Sequence, residues 1–285
     1  MSVNIITEPP FKSISKHTMF GKRAYNEDRY IILPKENISH IDPKTKQYVK
    51  SGEALLLAIF DGHGTSDVAE YLTKYIKNII ASTKFLYSTI NKNYVINSCN
   101  KLNRYIKKNV QSSVHSGSTA ICIAYYSINN AKYISVMNIG DCRAVLCRNN
   151  IGIPLTKDHK PHYPEETSRI LSIAGNEKIK FDGYDWRICN MSVSRAFGDF
   201  DAHPYITCYP DTYRYHIKDI DKFIVIGCDG LWDCCSNQDV VNFVLYHSYD
   251  NTTNTFINTN ISEQLAQYAI ASGSVDNITV IVLFL

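Results

Sequence analysis

Three acids stand at the ends of runs too apolar to belong on a surface. ALLLAIF ends at Asp61, FIVIGC ends at Asp229, and Asp276 directly precedes NITVIVLFL. A carboxylate at the end of a buried strand is costly unless something pairs with it. Three such ends gathered by packed sheets would repel one another strongly, and hard divalent cations with oxygen ligands are the natural remedy. A further cluster, GKRAYNEDRY, sets Glu27 beside Asp28, with Arg23 four residues before the glutamate. Neighbouring acids usually mean a solvated loop; next to the strand-end acids they complete a set. Acids to hold divalent ions, an arginine suited to bidentate phosphate binding and His63 as a proton donor are the parts of metal-assisted phosphate ester hydrolysis.

The elements that must position these residues follow from periodicity. Asp-Gly at 61–62 would suit a hairpin turn, but Val68, Tyr71, Leu72, Tyr75, Ile76 and Ile79 recur on one helical face. That predicts a helix over Asp67 to Ile80, capped by Ser66 or Asp67. Strands are expected at Tyr30 to Leu33, Ala54 to Phe60, Thr119 to Tyr126, Ala131 to Met137, Arg143 to Cys147, Phe223 to Gly227 and Ile278 to Phe284. Further helices are expected at Val95 to Val110, at Pro164 to Ala174 with Gly175 as its C-cap, at Asn237 to Tyr246 behind Ser236, and at Ser262 to Ser272. Pro34 to Glu53 and Asn251 to Asn260 read as exposed loops. Strands in adjacent groups favour antiparallel sheets with helices packed outside.

Composition narrows the function classes. The 285 residues are 45% hydrophobic, carry a formal charge of +3 and show no linker that would split them. Lys and Arg are scattered, so nucleic acid is not an expected partner. No apolar run approaches the roughly 20 residues of a membrane helix, and the N-terminal stretch lacks the apolar segment of a secretion signal. Nine cysteines without a C-x-x-C pair read as reduced core residues of an intracellular, cytoplasmic protein, with the nucleus left open.

In order, the chain carries RAYNED (Arg23 to Asp28), DGHG (Asp61 to Gly64), SGSTA (Ser116 to Ala120), NIGDCRAVL (Asn138 to Leu146), LTKDHKP (Leu155 to Pro161), SVSRAFGD (Ser192 to Asp199), CDGLWD (Cys228 to Asp233) and DNITVIV (Asp276 to Val282). From about Gly21 to its end the chain thus resembles the PP2C family of metal-dependent protein serine/threonine phosphatases. The resemblance implies an α+β fold: a four-layer αββα sandwich of two mainly antiparallel β-sheets flanked by helices, one domain over 1–285. It implies two Mn²⁺ or Mg²⁺ ions in a cleft at one edge of the paired sheets. Asp61 would bridge both ions, Asp229 and Asp276 would complete one site, Glu27 and the Gly62 carbonyl would serve the other, and Asp28 would orient metal-bound water. The water shared by the ions would attack phosphorus in line, Arg23 would clamp the phosphoryl oxygens, and His63 would protonate the departing Ser or Thr oxygen.

Asp141 and Asp233 resemble positions that hold a third, weaker metal in relatives; for Asp141 a Gly-Asp hairpin turn between VMNI and RAVL is an equal alternative. His159, His162 and His203 are expected at the surface or in the flap rather than as ligands, and Asp199 as a structural residue that caps or pairs beneath the cleft. The flap, about 159–187, departs from the family pattern at Asn176, and the stretch after it departs at Cys189 and Asn190, which bears on substrate preference. The implied partner is a phosphoprotein, and a monomer is expected. The chain ends with its last apolar run, so the C-terminal extensions of some relatives are not expected.

Two rivals remain. Cys142 and Arg148 satisfy the C-x5-R spacing of a cysteine phosphatase, but the intervening residues lack glycine and alternate like a strand. The other is a catalytically inactive PP2C-like scaffold or binding module. Degenerate copies usually lose a ligand acid, and here every expected one is present.

Overall fold

The run Ala54 to Phe60 is buried along its whole length because both its faces are covered. Ala54, Leu56, Ala58 and Phe60 pack toward helices, whereas Leu55, Leu57 and Ile59 pack toward a second sheet. The same period of two runs through Ala120 to Tyr126. In the second sheet Leu146, Ile281 and Leu283 face the first sheet, and Val145, Val280 and Val282 face the other helices. These alternations define four layers, helix, sheet, sheet, helix, with a core at each of the three seams.

The computed structural model describes residues 6–173, 175, 178–250, 252–253, 255–257 and 260–285. The principal strands are β1 (Ser13–Met19), β2 (Arg29–Ile41), β3 (Tyr48–Phe60), β4 (Ala120–Ile128), β5 (Ala131–Ile139), β6 (Arg143–Arg148), β7 (Ile151–Pro154), β8 (Asp211–His216), β9 (Asp221–Gly227) and β10 (Ile278–Phe284). One sheet has the order β8-β5-β4-β3-β2, with the short strand Ile6–Thr7 wedged between β4 and β3; the other has the order β7-β6-β9-β10-β1. All pairings among the labelled strands are antiparallel. Asn129-Asn130 and Asn149-Asn150 make the two-residue turns after β4 and β6, all four at positive φ, a conformation asparagine tolerates.

The principal helices are α1 (Asp67–Tyr75), α2 (Lys92–Asn109), α3 (Pro164–Leu171), α4 (Asn237–Ser248) and α5 (Ile261–Ala271). Ser236 and Asp239 form a reciprocal capping box at α4. No described helix is long and apolar enough to cross a membrane.

Several expectations need correction. Pro34 to Glu53 is no loop: β2 and β3 pair from Arg29↔Phe60 to Ile41↔Tyr48, so most of the segment is a long hairpin arm. Its polar outer residues hid the alternation. The helix expected over 67–80 breaks at Ile76 and resumes as Lys77–Ile80. Ser66 occupies its N-cap, but its hydroxyl goes to the Glu70 carboxylate at 3.0 Å and leaves the backbone uncapped. The helix predicted to reach Ala174 ends at Leu171, and Ala174 lies outside the described residues. Gly175 packs against Tyr205 instead of capping it. Asn176, and residues 251, 254, 258 and 259 of the second expected loop, also lie outside the described residues.

Candidate metal and phosphate site

The site forms where the two sheets exchange chain. Asp61 follows β3 of the first sheet, Asp229 follows β9 of the second, and Asp276 precedes β10. Asp141 lies between β5 and β6, which belong to different sheets; the hairpin reading of this turn therefore fails, and the residue marks a crossover. Gly140 makes the crossover at φ +99, and a side chain there would meet Thr119 Cβ at 2.5 Å.

Asp61, Asp141 and Asp229 each present a carboxylate oxygen within 4.8 Å of the others, and Asp28, Asp61 and Cys228 form a second such group. Cys228 is no ligand. Its Sγ accepts from Thr279 N–H at 3.1 Å and donates to Asn277 O at 3.4 Å, and burial holds the thiol well above its usual pKa. Asp28, 3% exposed, accepts a 2.6 Å hydrogen bond from Thr279 Oγ1. Glu27 touches the Gly62 backbone closely enough that a Cβ at Gly62 would sit 2.5 Å from the Glu27 carbonyl oxygen. Asn277 fixes this loop, accepting from Glu27 N–H at 2.8 Å and donating to the carbonyls of Phe20 and Tyr25.

Burial and mutual repulsion set the electrostatics. Asp61 is driven well above the usual carboxylate range by burial and then by the charges of Asp229, Asp28, Asp141 and Asp276. Asp229 is raised by burial, then by Asp141 and Asp233. Asp28 is pushed to about 6, chiefly by burial. Asp233, one turn beyond Asp229 and donating its N–H to Asp229 O at 2.8 Å, keeps contact with solvent; the surrounding wall and then Asp141 push it to about 6 against the pull of Lys160. The residues fit divalent cations: the donor set is all oxygen, and Asp141 Oδ1 and Asp28 Oδ1 are buried with no hydrogen-bond partner among the described residues.

Asp276 stands at the edge of this group, its Oδ2 2.6 Å from Arg23 Nη2. His63 gives Nε2 to Asp199, 2.8 Å from Oδ2. Arg23, Glu27, Asp61, Gly62, His63, Asp141, Asp229, Asp233 and Asp276 line one cleft of about 890 Å³, together with Tyr184, Asp185 and Arg187.

Three residues escaped the sequence reading. Lys160 is 7% exposed, with Nζ 2.5 Å from Asp141 Oδ2; only its place in LTKDHKP signalled it. Asn277 directly follows an acid at the start of a buried strand. His159 is 2% exposed rather than superficial: Nδ1 accepts from Gly140 N–H at 3.0 Å and Nε2 faces Asp211 at 3.2 Å, so it braces the Asp141 crossover. His162 and His203 are exposed as expected. Asp199 pairs as anticipated, and its partner is His63. Cys189 and Asn190 occupy a two-residue turn between Ile188 and Met191 at φ 49 and 66. The cysteine-phosphatase rival is excluded, because Arg143–Arg148 is paired on both sides in the sheet and Arg148 Nε bonds Asp221 at 2.7 Å.

Fold and site together define a phosphatase-type αββα sandwich with an acid cage at the seam of its sheets. Solved structures agree. A phosphatase from a pathogenic strain of Toxoplasma gondii superposes with a TM-score of 0.78 over 98% of this chain and 95% of its own, at 20% identity. A serine-threonine phosphatase 2C from the same organism gives 0.71 over 99% and 98%, also at 20% identity. The Protein phosphatase 2C family model matches residues 16–278, and the chain belongs to that family. It is 49% identical over 167 residues to a PP2C-like domain-containing protein of Acanthamoeba polyphaga mimivirus, covering 53% of this chain and 93% of the relative. It is 33% identical over 265 residues to probable protein phosphatase 2C 11 of Arabidopsis thaliana, covering 92% of this chain and 63% of the relative. The chain spans less than two thirds of the length of the plant relatives it matches.

Proposed function

We propose that the chain is an active, metal-dependent protein serine/threonine phosphatase that hydrolyses phosphomonoesters on phosphoproteins, acting as a monomer inside the cell. The observation that carries this reading is the crowding of Asp61, Asp141 and Asp229 within 4.8 Å, where Asp61 and Asp229 stay raised although Lys160 lies beside Asp141. Asp61, Asp229, Asp276, Glu27 and the Gly62 carbonyl would hold two Mn²⁺ or Mg²⁺ ions, with Asp141 and Asp233 available to a third. Bound there, the cations supply Lewis acidity toward the phosphoryl group and make a water acidic enough to be a nucleophile near neutral pH.

The protein supplies the rest. Arg23, 55% exposed and tied to the chain by a single carboxylate, is free to exchange Asp276 for phosphoryl oxygens. Asp28, grouped with Asp61 and held by a hydrogen bond from Thr279, is placed to orient the attacking water. His63, on the rim, is placed to return a proton to the departing serine or threonine oxygen. An intact set of acids speaks against a lapsed scaffold. Phosphate release from a phosphothreonine peptide tests the reading: it should require added Mn²⁺, stop with EDTA and vanish in Asp61→Asn. A folded chain that binds Mn²⁺ and releases no phosphate would establish the scaffold instead.

A further inference from the structure

We infer that Asp199 positions His63 for proton transfer, fixing which ring nitrogen serves the leaving group; the inference rests on the phosphatase reading above. Asp199 is 2% exposed, and its Oδ1 and Oδ2 lie 2.9 and 2.8 Å from His63 Nε2. A dedicated piece of backbone brings the two together. Gly62–His63, Gly117–Ser118 and Phe197–Gly198 form a three-stranded sheet of two-residue strands in which His63 pairs with Gly117 and Gly117 with Gly198. Asp199 follows at φ +49, its N–H donated to Ser116 O at 3.0 Å, and Gly198 N–H is held by Asn103 Oδ1 at 2.9 Å.

The central glycine leaves room for the pair. A Cβ on Gly117 would lie 2.1 Å from Asp199 Oδ2 and 2.6 Å from His63 Nε2. A left-handed aspartate and a glycine clearing its path are costly local choices. Their result is an imidazole whose Nε2 is committed to a buried carboxylate.

The proton accounting follows. His63 keeps its Nε2–H, donated to the Asp199 carboxylate, throughout, so Nδ1 is the nitrogen that serves the reaction. As water oxygen bonds phosphorus, the P–Oγ bond breaks and its electron pair remains on Oγ, which takes the proton from Nδ1. His63 is left neutral with Nε2–H intact, the nucleophilic water gives up a proton to solvent, and Nδ1 regains one from solvent. Asp199 itself exchanges no proton; it holds the ring and fixes which nitrogen carries the proton.

Leaving-group dependence separates this role from a structural one. Nitrophenolate leaves without a proton, whereas a threonine alkoxide does not. With Mn²⁺, Asp199→Asn should lower kcat on a phosphothreonine peptide roughly 100-fold at unchanged KM, and leave p-nitrophenyl phosphate turnover within about 3-fold. His63→Gln should show the same split, and the double variant should be no worse than His63→Gln alone. Equal losses on both substrates, or a loss on neither, would overturn the inference. Nitrogen-15 spectra of the wild-type imidazole provide a readout independent of turnover: the neutral ring of His63 should carry its proton on Nε2, and a neutral ring protonated on Nδ1 would overturn the assignment even in an active enzyme. A wild-type chain that hydrolyses neither substrate would overturn the phosphatase reading while the spectra still decide the pairing.

Discussion

Lys160 Nζ lies 2.5 Å from Asp141 Oδ2, so the acid cage contains a cation of the protein's own. Burial pulls the pKa of this ammonium down, but the charges of Asp141, Asp233 and Asp229 outweigh it and hold its pKa above the usual lysine value. Removing one member of a buried pair leaves the other charge uncompensated. Lys160→Met should therefore cost the chelated protein on the order of 3 kcal/mol. Added Mn²⁺ should restore most of that loss, as read by thermal unfolding in EDTA and in Mn²⁺. A variant as stable as wild type in EDTA would show that the lysine does not offset the acids.

Stability and activity should move in opposite directions at Asp61. The carboxylate is raised by burial and then by four neighbouring acids, so neutralising it relieves both desolvation and repulsion. Asp61→Asn should unfold at a higher temperature than wild type in EDTA, yet lose on the order of 100-fold or more in Mn²⁺-supported turnover. Calorimetry and phosphate release on the same preparation check both halves.

The chelated protein should lose stability as pH rises. Asp28 and Asp233 stand at about 6 in the folded chain against an ordinary 3.8. The folded state binds their protons more tightly, so their contribution is complete below about 3.8 and is lost as pH climbs through about 6. Glu166 works the other way. Burial alone would raise it, but Arg195, Ser194 and Arg169 hold it at about 2, so its contribution is present above its ordinary 4.5 and fails only in stronger acid. The midpoint of unfolding in EDTA should fall between about pH 5 and pH 7, and Mn²⁺ should raise it more at the higher pH. A midpoint in EDTA that rises over this interval would contradict the assignment.

How much of this was readable in the residues depends on what each position must contrast with. Asp61, Asp229 and Asp276 stood out because each interrupts a run with no other reason to hold a charge. The layer order followed from the same runs, since a strand apolar on both faces needs cover on both. The arm formed by β2 and β3 was missed because its outer part, with Glu36, Glu53 and several lysines, is solvated on the faces where a core pattern would show. Asp199 and Lys160 were not legible as members of the site. Their partners are 136 residues away for Asp199 and on the other side of the β6–β7 hairpin for Lys160, and only folding juxtaposes them.

Gly230 offers a test of how tightly the cage is closed. It sits inside the short helix Asp229–Trp232, where alanine is ordinarily favoured by about 1 kcal/mol. A Cβ there would lie 2.0 Å from the Asn277 carbonyl oxygen, which is backbone and cannot swing away. Gly230→Ala should thus destabilise the protein by roughly 1–3 kcal/mol and weaken Mn²⁺ binding, because Asp229 and Asp276 flank the contact. Denaturant unfolding that shows a gain in stability would contradict the packing described.

Calorimetric titration of the metal-stripped protein with Mn²⁺ tests most directly whether distant acids converge to cage divalent ions. Wild type should bind two ions tightly, with any third weaker, and Asp229→Asn should lose tight binding while remaining folded. Failure of the folded wild type to bind Mn²⁺, or an isotherm unchanged by Asp229→Asn, would contradict the account at its base.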